Sequence, residues 1–80
     1  MKARVHVTLK PGVVDPEGAA IARSLGRLGF GGVEAVRVGK VFELALATSD
    51  TDAARAEVEA MCEKLLANPV IQSYRIELAD

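Results

Sequence analysis

The stretch from residue 59 to residue 71 contains a helix, the signal that ends it and the approach to a strand. Its apolar residues follow helical spacing up to Ala67, and Asn68 and Pro69 come next. Pro69 has no backbone N–H and disfavours helical geometry at the residue before it, so the helix cannot continue beyond this point. From residue 73 to residue 78 polar and apolar residues then alternate, as in a strand. The chain is therefore limited to folds that combine helices with a sheet.

The first part of the chain predicts a strand followed by a helix. Residues 3–9 alternate between apolar and polar, which is typical of a strand with one buried face. Asp15 is suited to cap the N-terminus of the helix, and Pro16 to occupy its first position. Gly29 is suited to the left-handed conformation in which many helices end. The apolar side of this helix is predicted to contain Ile21, Leu25 and Leu28.

The middle of the chain predicts two strands and a second helix. Val33–Val38 and Val41–Thr48 are separated only by Gly39 and Lys40, which is typical of a tight hairpin whose glycine has a positive φ. Cap-forming side chains at residues 49–52 predict the start of a second helix that runs to about residue 67. Its apolar side is predicted to contain Ala54, Val58, Met61, Cys62, Leu65 and Leu66.

These elements have the order β-α-β-β-α-β. With right-handed crossovers this order predicts a ferredoxin-like α+β domain over residues 1–80, with an antiparallel four-stranded sheet and two helices on one face. The other face would carry a mixture of charged and small side chains, and would be either wet or paired with another sheet. A domain of 80 residues buries only a small core, so we also expect it to form oligomers.

Composition argues against several kinds of partner. Ten basic and eleven acidic side chains give a formal net charge of −1, so the chain has no general attraction for nucleic acids or lipid head groups. RNA-binding domains of this topology stack bases on strand aromatics, but only Phe42 lies on a strand that would need them. No apolar run approaches the roughly 20 residues of a membrane span. Because the one cysteine has no disulfide partner and no stretch resembles a secretory signal, we expect a cytoplasmic protein that binds neither nucleic acid nor membranes.

No group of residues in the sequence resembles an active site. His6 is the one histidine and has no nucleophile or second metal ligand near it in the sequence. Cys62 falls on the apolar side of a helix, where a cysteine is most simply a small core residue. The glycine-rich residues 26–32 close a helix, whereas phosphate-binding loops open one. We therefore predict no catalytic, cofactor-binding or metal-binding residue in this chain.

Several motifs, in this order and at these spacings, resemble the PurS family, the small subunit of the phosphoribosylformylglycinamidine (FGAM) synthase complex. They are Val5–Val13, Asp15–Gly18, Val36–Lys40, and Met61–Ile71 with Tyr74. The resemblance implies that the chain is part of an enzyme only as a subunit of a glutamine-dependent carbon–nitrogen ligase. A glutaminase subunit (PurQ) would release ammonia. An ATP-dependent synthetase subunit (PurL), with magnesium, would use it to convert formylglycinamide ribonucleotide to the amidine.

In such a complex the small subunit would bridge the two larger ones, support ammonia transfer between them and bind no cofactor itself. ATP and nucleotide binding would belong to the complex through the synthetase. The family resemblance also implies a homodimer or a tetramer. We predict that the partners contact rigid, charged or Pro/Gly-bearing connections, since small domains often present specific surface there. These candidate interface residues are Lys10, Asp15, Pro16, Arg37, Gly39, Lys40, Asn68, Pro69 and Tyr74.

Two alternatives stay open on the sequence. Arg37 and Lys40 are cations beside a short turn, and either meet a phosphate or a carboxylate of a partner or are ordinary solvated charges. Asn68 and Pro69 already have an explanation as the helix stop. For the whole chain, the alternative function is a ferredoxin-like regulatory domain that binds a small ligand at a dimer interface, which the topology alone supports.

Overall fold

The computed structural model describes residues 1–79, in which three strands and two helices form. β1 is the central strand, and it pairs antiparallel with β2 on one side and with β3 on the other. The α+β class, the antiparallel sheet and the two helices are thus confirmed. The elements in chain order are β1 (Lys2–Leu9), α1 (Pro16–Arg27), β2 (Lys40–Ala45), α2 (Thr51–Met61), a π-helical turn (Cys62–Leu66) and β3 (Gln72–Ala79).

The predicted boundaries of α1 are confirmed at both ends. The Asp15 side chain caps the helix by accepting a hydrogen bond from the Gly18 N–H at 2.8 Å, and Pro16 occupies the first turn. Just after the helix, Gly29 has a φ of 99°, the left-handed conformation expected of a residue that ends a helix.

The predicted strand over 33–38 and the predicted hairpin at Gly39 and Lys40 are wrong. The chain keeps the expected order of elements, but residues 33–38 pair with no strand, and the sheet therefore has three strands. Lys40 is the first residue of β2 and pairs with Val7, so Gly39 and Lys40 form no turn between two strands, and residues 33–37 lie beyond the end of β1. Gly39 does not have the predicted positive φ. Its missing side chain instead allows a close approach, since a Cβ there would lie 2.9 Å from the Val7 carbonyl oxygen.

The core lies between one face of the sheet and α2. Val5 and Val7 of β1 are fully or almost fully buried, and they pack with Val58 and Cys62 of α2 and its π-helical extension. Apolar side chains from the flanking strands and the segment after β2 complete the cluster: Phe42, Leu44, Leu46, Tyr74, Ile76 and Leu78. The opposite face of the sheet carries the predicted charged side chains, with ion pairs between Arg4 and Glu43 and between Arg75 and Glu77.

The second helix changes geometry before it ends, and this change makes one prediction wrong. In the turn Cys62–Leu66 the Ala67 N–H donates to the Cys62 carbonyl oxygen at 3.0 Å, five residues back. The wider turn shifts the core-facing positions, so that Ala67 is buried and Leu66 is half-buried. Leu65, predicted to lie on the buried side, is 83% exposed. The helix still ends before Asn68, as predicted.

α1 projects from the sheet instead of lying across it. The radius of gyration is 16.1 Å, against about 12 Å for a compact chain of this length, and the molecule measures 48 × 26 × 14 Å. Whereas α2 packs on the sheet, α1 packs against residues 34–37, where Gly18 is buried beneath the Val36 carbonyl. In the part of the chain that is described, no helix has the length and apolar character that crossing a membrane requires.

Candidate partner-binding surface

The predicted interface residues gather at one end of the sheet, where β1 ends and β2 and β3 begin. The strand register causes this, because Val7 pairs with Lys40 on one side and with Tyr74 on the other. The connections before α1 and after α2 reach the same end. We call this set the end surface: Lys10, Asp15, Pro16, Arg37, Gly39, Lys40, Asn68, Pro69 and Tyr74.

Asp15 joins α1 to the segment that precedes β2. One carboxylate oxygen accepts from the Gly18 N–H, and the other accepts from the Val38 N–H at 2.9 Å. Both backbone donors lower the pKa of Asp15, and the Gly18 N–H has the larger effect. The charge of Arg37 lowers this pKa further. The carboxylate is therefore ionised at neutral pH and fixes the position of α1. The cap was predicted, but the bond to Val38 was not, because it depends on the tertiary fold.

Arg37 and Lys10 bind backbone carbonyls of other segments. The Arg37 Nη2 atom donates to the Leu9 carbonyl oxygen at 2.8 Å and to the Lys10 carbonyl oxygen at 3.3 Å. The Lys10 Nζ atom donates to the Pro69 carbonyl oxygen at 2.6 Å, and the Lys10 N–H donates to Ile71. One nitrogen of the exposed Arg37 side chain is thus bound within the chain, so this residue is more than an ordinary solvated charge. Both cations hold the end surface together.

Lys40 has a different environment from the other two cations. It is the exposed first residue of β2, and no hydrogen bond or ion pair of its side chain is found within residues 1–79. Its charge is therefore available to a partner. Among the cations of the end surface, Lys40 is the one whose substitution would disturb the fold least.

The turn at Asn68 is rigid because four hydrogen bonds cross it, including one from the Ile71 N–H to the Asn68 carbonyl oxygen at 3.1 Å. The Asn68 side-chain oxygen accepts from the Val70 N–H at 3.0 Å, and the Asn68 N–H donates to the Gln72 side chain at 2.7 Å. The Gln72 N–H in turn donates a hydrogen bond to the Asn68 carbonyl oxygen at 2.7 Å. The same turn exposes Pro69 and leaves the adjacent Val70 79% exposed, so an apolar projection with a fixed backbone lies beside the end surface.

Tyr74 connects β3 to the π-helical turn. Its hydroxyl donates to a Glu63 carboxylate oxygen at 2.9 Å, and this bond, followed by burial, raises the pKa of Tyr74. The ring packs against the core. The role of Glu63 was missed from the sequence, because its distance from Tyr74 along the chain gives no signal of contact.

The two residues that resemble catalytic groups, His6 and Cys62, lie on opposite sides of the sheet. The His6 Nε2 atom, on the open face of the sheet, is shielded from solvent and lies 2.8 Å from a Glu77 oxygen, without forming a well-aligned hydrogen bond. Cys62 is fully buried, and burial, followed by the charges of Glu63 and Glu59, raises the pKa of its thiol. Within residues 1–79 no three of the acidic, histidine and cysteine side chains are grouped to hold a metal ion.

The structure contains a second surface that the sequence did not indicate. Beside α2, a groove of about 540 Å³ is lined mostly by apolar groups. It exists because the π-helical turn leaves Leu65 outside the core. The lining residues, which we call the α2 groove, are Leu44, Glu57, Ala60, Met61, Lys64, Leu65 and Leu66.

Comparisons with known proteins agree with the motif resemblance. The family described as "PurS: Phosphoribosylformylglycinamidine (FGAM) synthase" matches residues 2–80. The PurS subunit of Archaeoglobus fulgidus is 49% identical over 76 residues, which cover 95% of each chain. That of Bacillus subtilis is 44% identical over 79 residues, covering 99% of this chain and 93% of the relative.

Solved structures give the same result. The chain superposes on Bacillus subtilis PurS with a TM-score of 0.90 at 44% identity, over 99% of this chain and 98% of the other. A chain in the structure of PurLQS from Thermotoga maritima gives a TM-score of 0.86 at 32% identity, with 95% and 93% covered. The similarity therefore extends over the whole domain in both sequence and fold.

Proposed function

The chain belongs to the PurS family, and from that premise we propose that it is the non-catalytic small subunit of FGAM synthase in purine biosynthesis. The observation that carries this proposal is the match over residues 2–80 to a family of synthase subunits. The non-catalytic part is supported by the separation of His6 from Cys62 and by the burial of the thiol.

The chain bridges two larger subunits, the glutaminase PurQ and the synthetase PurL. Its counterpart occurs in the PurLQS structure of Thermotoga maritima, which supports the same partners here. Ammonia released from glutamine passes between the subunits, and the chain keeps them in contact during this transfer. ATP and magnesium are used on the synthetase, where the amide of formylglycinamide ribonucleotide is activated.

The end surface is the part of the chain that docks on a larger subunit. Its backbone is fixed by hydrogen bonds that Arg37 and Lys10 donate and that Asp15 and Asn68 accept, so little conformational entropy is lost when a partner binds. Lys40 supplies an exposed charge and Val70 an exposed apolar group. Such a surface, rigid and without an enclosed cavity, favours recognition of a protein by shape and charge.

The chain also forms a homo-oligomer, a dimer or a tetramer, in the cytoplasm. Self-association is supported by large apolar side chains that this chain leaves exposed, among them Leu28, Phe30 and Leu65. A cytoplasmic location is supported by the free buried thiol of Cys62 and by a biosynthetic role.

A mixing experiment tests the docking role. We expect the chain, the glutaminase and the synthetase to co-elute as one complex in size-exclusion chromatography with mass detection. Lys40→Glu should weaken this complex, because it reverses the one charge of the end surface that has no internal partner. The matched control is Lys2→Glu, an exposed strand lysine at the other end of β1. Equal effects of the two substitutions, or none from either, would remove Lys40 from the interface. Failure of the wild-type chain to join the complex would overturn the proposed function.

A further inference from the structure

Two turns lie side by side at this end of the sheet, and we call residues 10–14 and 68–72 together the double turn. The Lys10 N–H donates to the Ile71 carbonyl oxygen at 2.8 Å, and the Lys10 Nζ atom donates to the Pro69 carbonyl oxygen at 2.6 Å. These two bonds join the first turn to the second, and further hydrogen bonds fix the backbone within each turn. The double turn therefore has its shape before a partner binds, which lowers the entropic cost of binding.

The double turn exposes apolar side chains at positions where turns usually carry polar ones. Val14 is 80% exposed, Val70 is 79% exposed and Ile71 is 39% exposed. Pro11 and Pro69 are exposed beside them in the sequence. Only one of the ten residues is charged, and its side chain is bound to a backbone carbonyl. Apolar groups that are gathered on a fixed backbone and left in water indicate a protein contact.

The surroundings of the double turn are positively charged. Residues 10–16, 37–40 and 68–74 contain three cations and one carboxylate, a net charge of +2. Because the whole chain has a formal net charge of −1, its remaining residues carry −3. Both oxygens of the carboxylate, Asp15, accept hydrogen bonds from backbone N–H groups, whereas Lys40 has no side-chain partner within residues 1–79. This end of the molecule therefore attracts an acidic surface.

A second copy of the chain is a poor partner for this surface. Two end surfaces that faced each other around a two-fold axis would bring two charges of +2 together, which is unfavourable. A contact from the end surface of one copy to the acidic side of the next would be head-to-tail, and unless its rotation closed a ring it would build open filaments. A single-stranded nucleic acid would lack a stacking partner, because the double turn contains no aromatic residue. A different protein with an acidic surface fits best.

We propose that the double turn inserts Val14 and Val70 into an apolar recess on one of the two larger subunits, and that carboxylates around this recess face Lys40 and Arg37. The apolar insertion supplies most of the affinity, while the charges steer the two surfaces together and fix their orientation. One small patch at one end of the chain contacts one subunit, so the other subunit binds elsewhere on the chain. This inference rests on the proposed function and identifies the kind of surface that the end surface recognises.

The affinity of the complex tests the insertion. The full-length chain is titrated into a mixture of the glutaminase and the synthetase, with glutamine, ATP and magnesium present, and complex formation is followed by mass. We expect Val14→Asp and Val70→Asp each to raise the concentration for half-maximal assembly at least about tenfold. Val70→Ile keeps an apolar group and should assemble like wild type. The matched control Val33→Asp changes an exposed valine outside the double turn and should have no effect.

Two checks separate an interface effect from a change in the fold or in charge alone. Because the Val14 and Val70 side chains are largely exposed in the single chain, their substitution should leave its Tm unchanged. Raising the ionic strength from about 0.05 M to about 0.5 M should weaken the wild-type complex, since salt screens exposed charges. Lys40→Ala should make assembly less sensitive to salt, because it removes the cation that has no partner in the chain.

Photo-cross-linking identifies the surface that receives the double turn. Val70→Cys is labelled with a benzophenone maleimide and irradiated in the assembled complex; Cys62 does not compete for the label, because it is fully buried. We expect products with one larger subunit, in peptides that contain carboxylates beside apolar residues. The same label on Val33→Cys should give much less of these products.

The outcomes distinguish failure of this proposal from failure of the proposed function. A wild-type complex whose assembly is unchanged by Val14→Asp and Val70→Asp overturns the insertion and leaves the bridging role standing. Cross-links from residue 70 to another copy of this chain assign the double turn to self-association and also overturn it. A complex whose affinity does not depend on salt contradicts the acidic character of the recess. A wild-type chain that joins neither larger subunit overturns the proposed function itself.

Discussion

Replacing Gly18 by alanine should destabilise the protein, although alanine is the better helix former. A Cβ at this position would overlap the Val36 carbonyl oxygen and lie 3.0 Å from the Asp15 carboxyl group. The atom in the way belongs to the backbone, so the helix and the segment before β2 must move apart. Overpacking of this kind costs about 1–3 kcal/mol, against a helix-propensity gain of at most about 1 kcal/mol. We expect a net loss of roughly 1–2 kcal/mol.

Gly26→Ala is the matched control, because it makes the same change in the same helix. No atom lies within 4 Å of the position a Cβ would take there, and φ is not positive, so the propensity gain is unopposed. For a chain of this size 1 kcal/mol corresponds to about 4–8 °C in Tm. Thermal unfolding at equal protein concentration should therefore show a lower Tm for Gly18→Ala and a Tm that is equal to or higher than wild type for Gly26→Ala.

Hydrogen exchange shows which part of the structure Gly18→Ala destabilises. In Gly18→Ala the amide of Val38, which donates to Asp15, should lose protection, while the amides that join β1 to β3 should keep theirs. If Gly18→Ala raises the Tm as much as Gly26→Ala does, the close approach of α1 to Val36 does not exist. α1 would then be held in place by other contacts than these.

Three further predictions concern the core and the titrating groups. Val58→Ala removes two methyl groups from a fully buried side chain and should cost roughly 2 kcal/mol in urea unfolding; a loss below about 0.5 kcal/mol would contradict the assigned core. The Arg75 hydrogen bond, and to a smaller extent His6, lower the pKa of Glu77 below its ordinary value. Its contribution to stability is therefore complete above that ordinary value, near 4.5, and is lost as the pH falls through the folded-state pKa. Glu77→Gln should flatten this part of the stability curve, and an unchanged curve would count against the ion pair. Because burial raises its pKa, the Cys62 thiol should react with a disulfide reagent at pH 8 far more slowly in the folded protein than in urea, and equal rates would show that it is accessible.

The local parts of the fold could be predicted from the sequence because their causes are local. The cap at Asp15, the left-handed Gly29 and the helix stop at Asn68 and Pro69 each depend on the chemistry of a few adjacent residues. The alternation in β1 and β3 follows from a single buried face. In these places the local preference and the tertiary structure agree.

The failed predictions depend on register and on helix geometry. Residues 33–38 have the composition of a strand, but the chain does not turn back at Gly39 and Lys40, so they form no hairpin with residues 41–48. Leu65 follows the apolar stripe of α2, but the π-helical turn rotates it out of the core, and no sequence signal marks that turn. In both places the structure leaves apolar residues exposed that a compact four-stranded domain would have covered.

The residues of the end surface are candidates chosen from the sequence, and the sequence did not predict the contacts that they make. The nine residues of the end surface were chosen from three separate connections, and the register of β1 brings all three to one end of the sheet. Their hydrogen bonds, such as that from Arg37 to Leu9, join segments far apart in the chain and leave no trace in local spacing. The α2 groove was missed because it depends on the π-helical turn that leaves Leu65 outside the core.

The central claim, that this chain couples two catalytic subunits without doing chemistry, is tested most directly by comparing nitrogen donors. FGAM formation by the glutaminase and synthetase subunits is measured with glutamine and then with ammonium as the donor, each with and without the chain. We expect the chain to be required for the glutamine-supported rate and to change the ammonium-supported rate much less. Equal glutamine-supported rates with and without the chain, or turnover of any of these substrates by the purified chain alone, would contradict the claim.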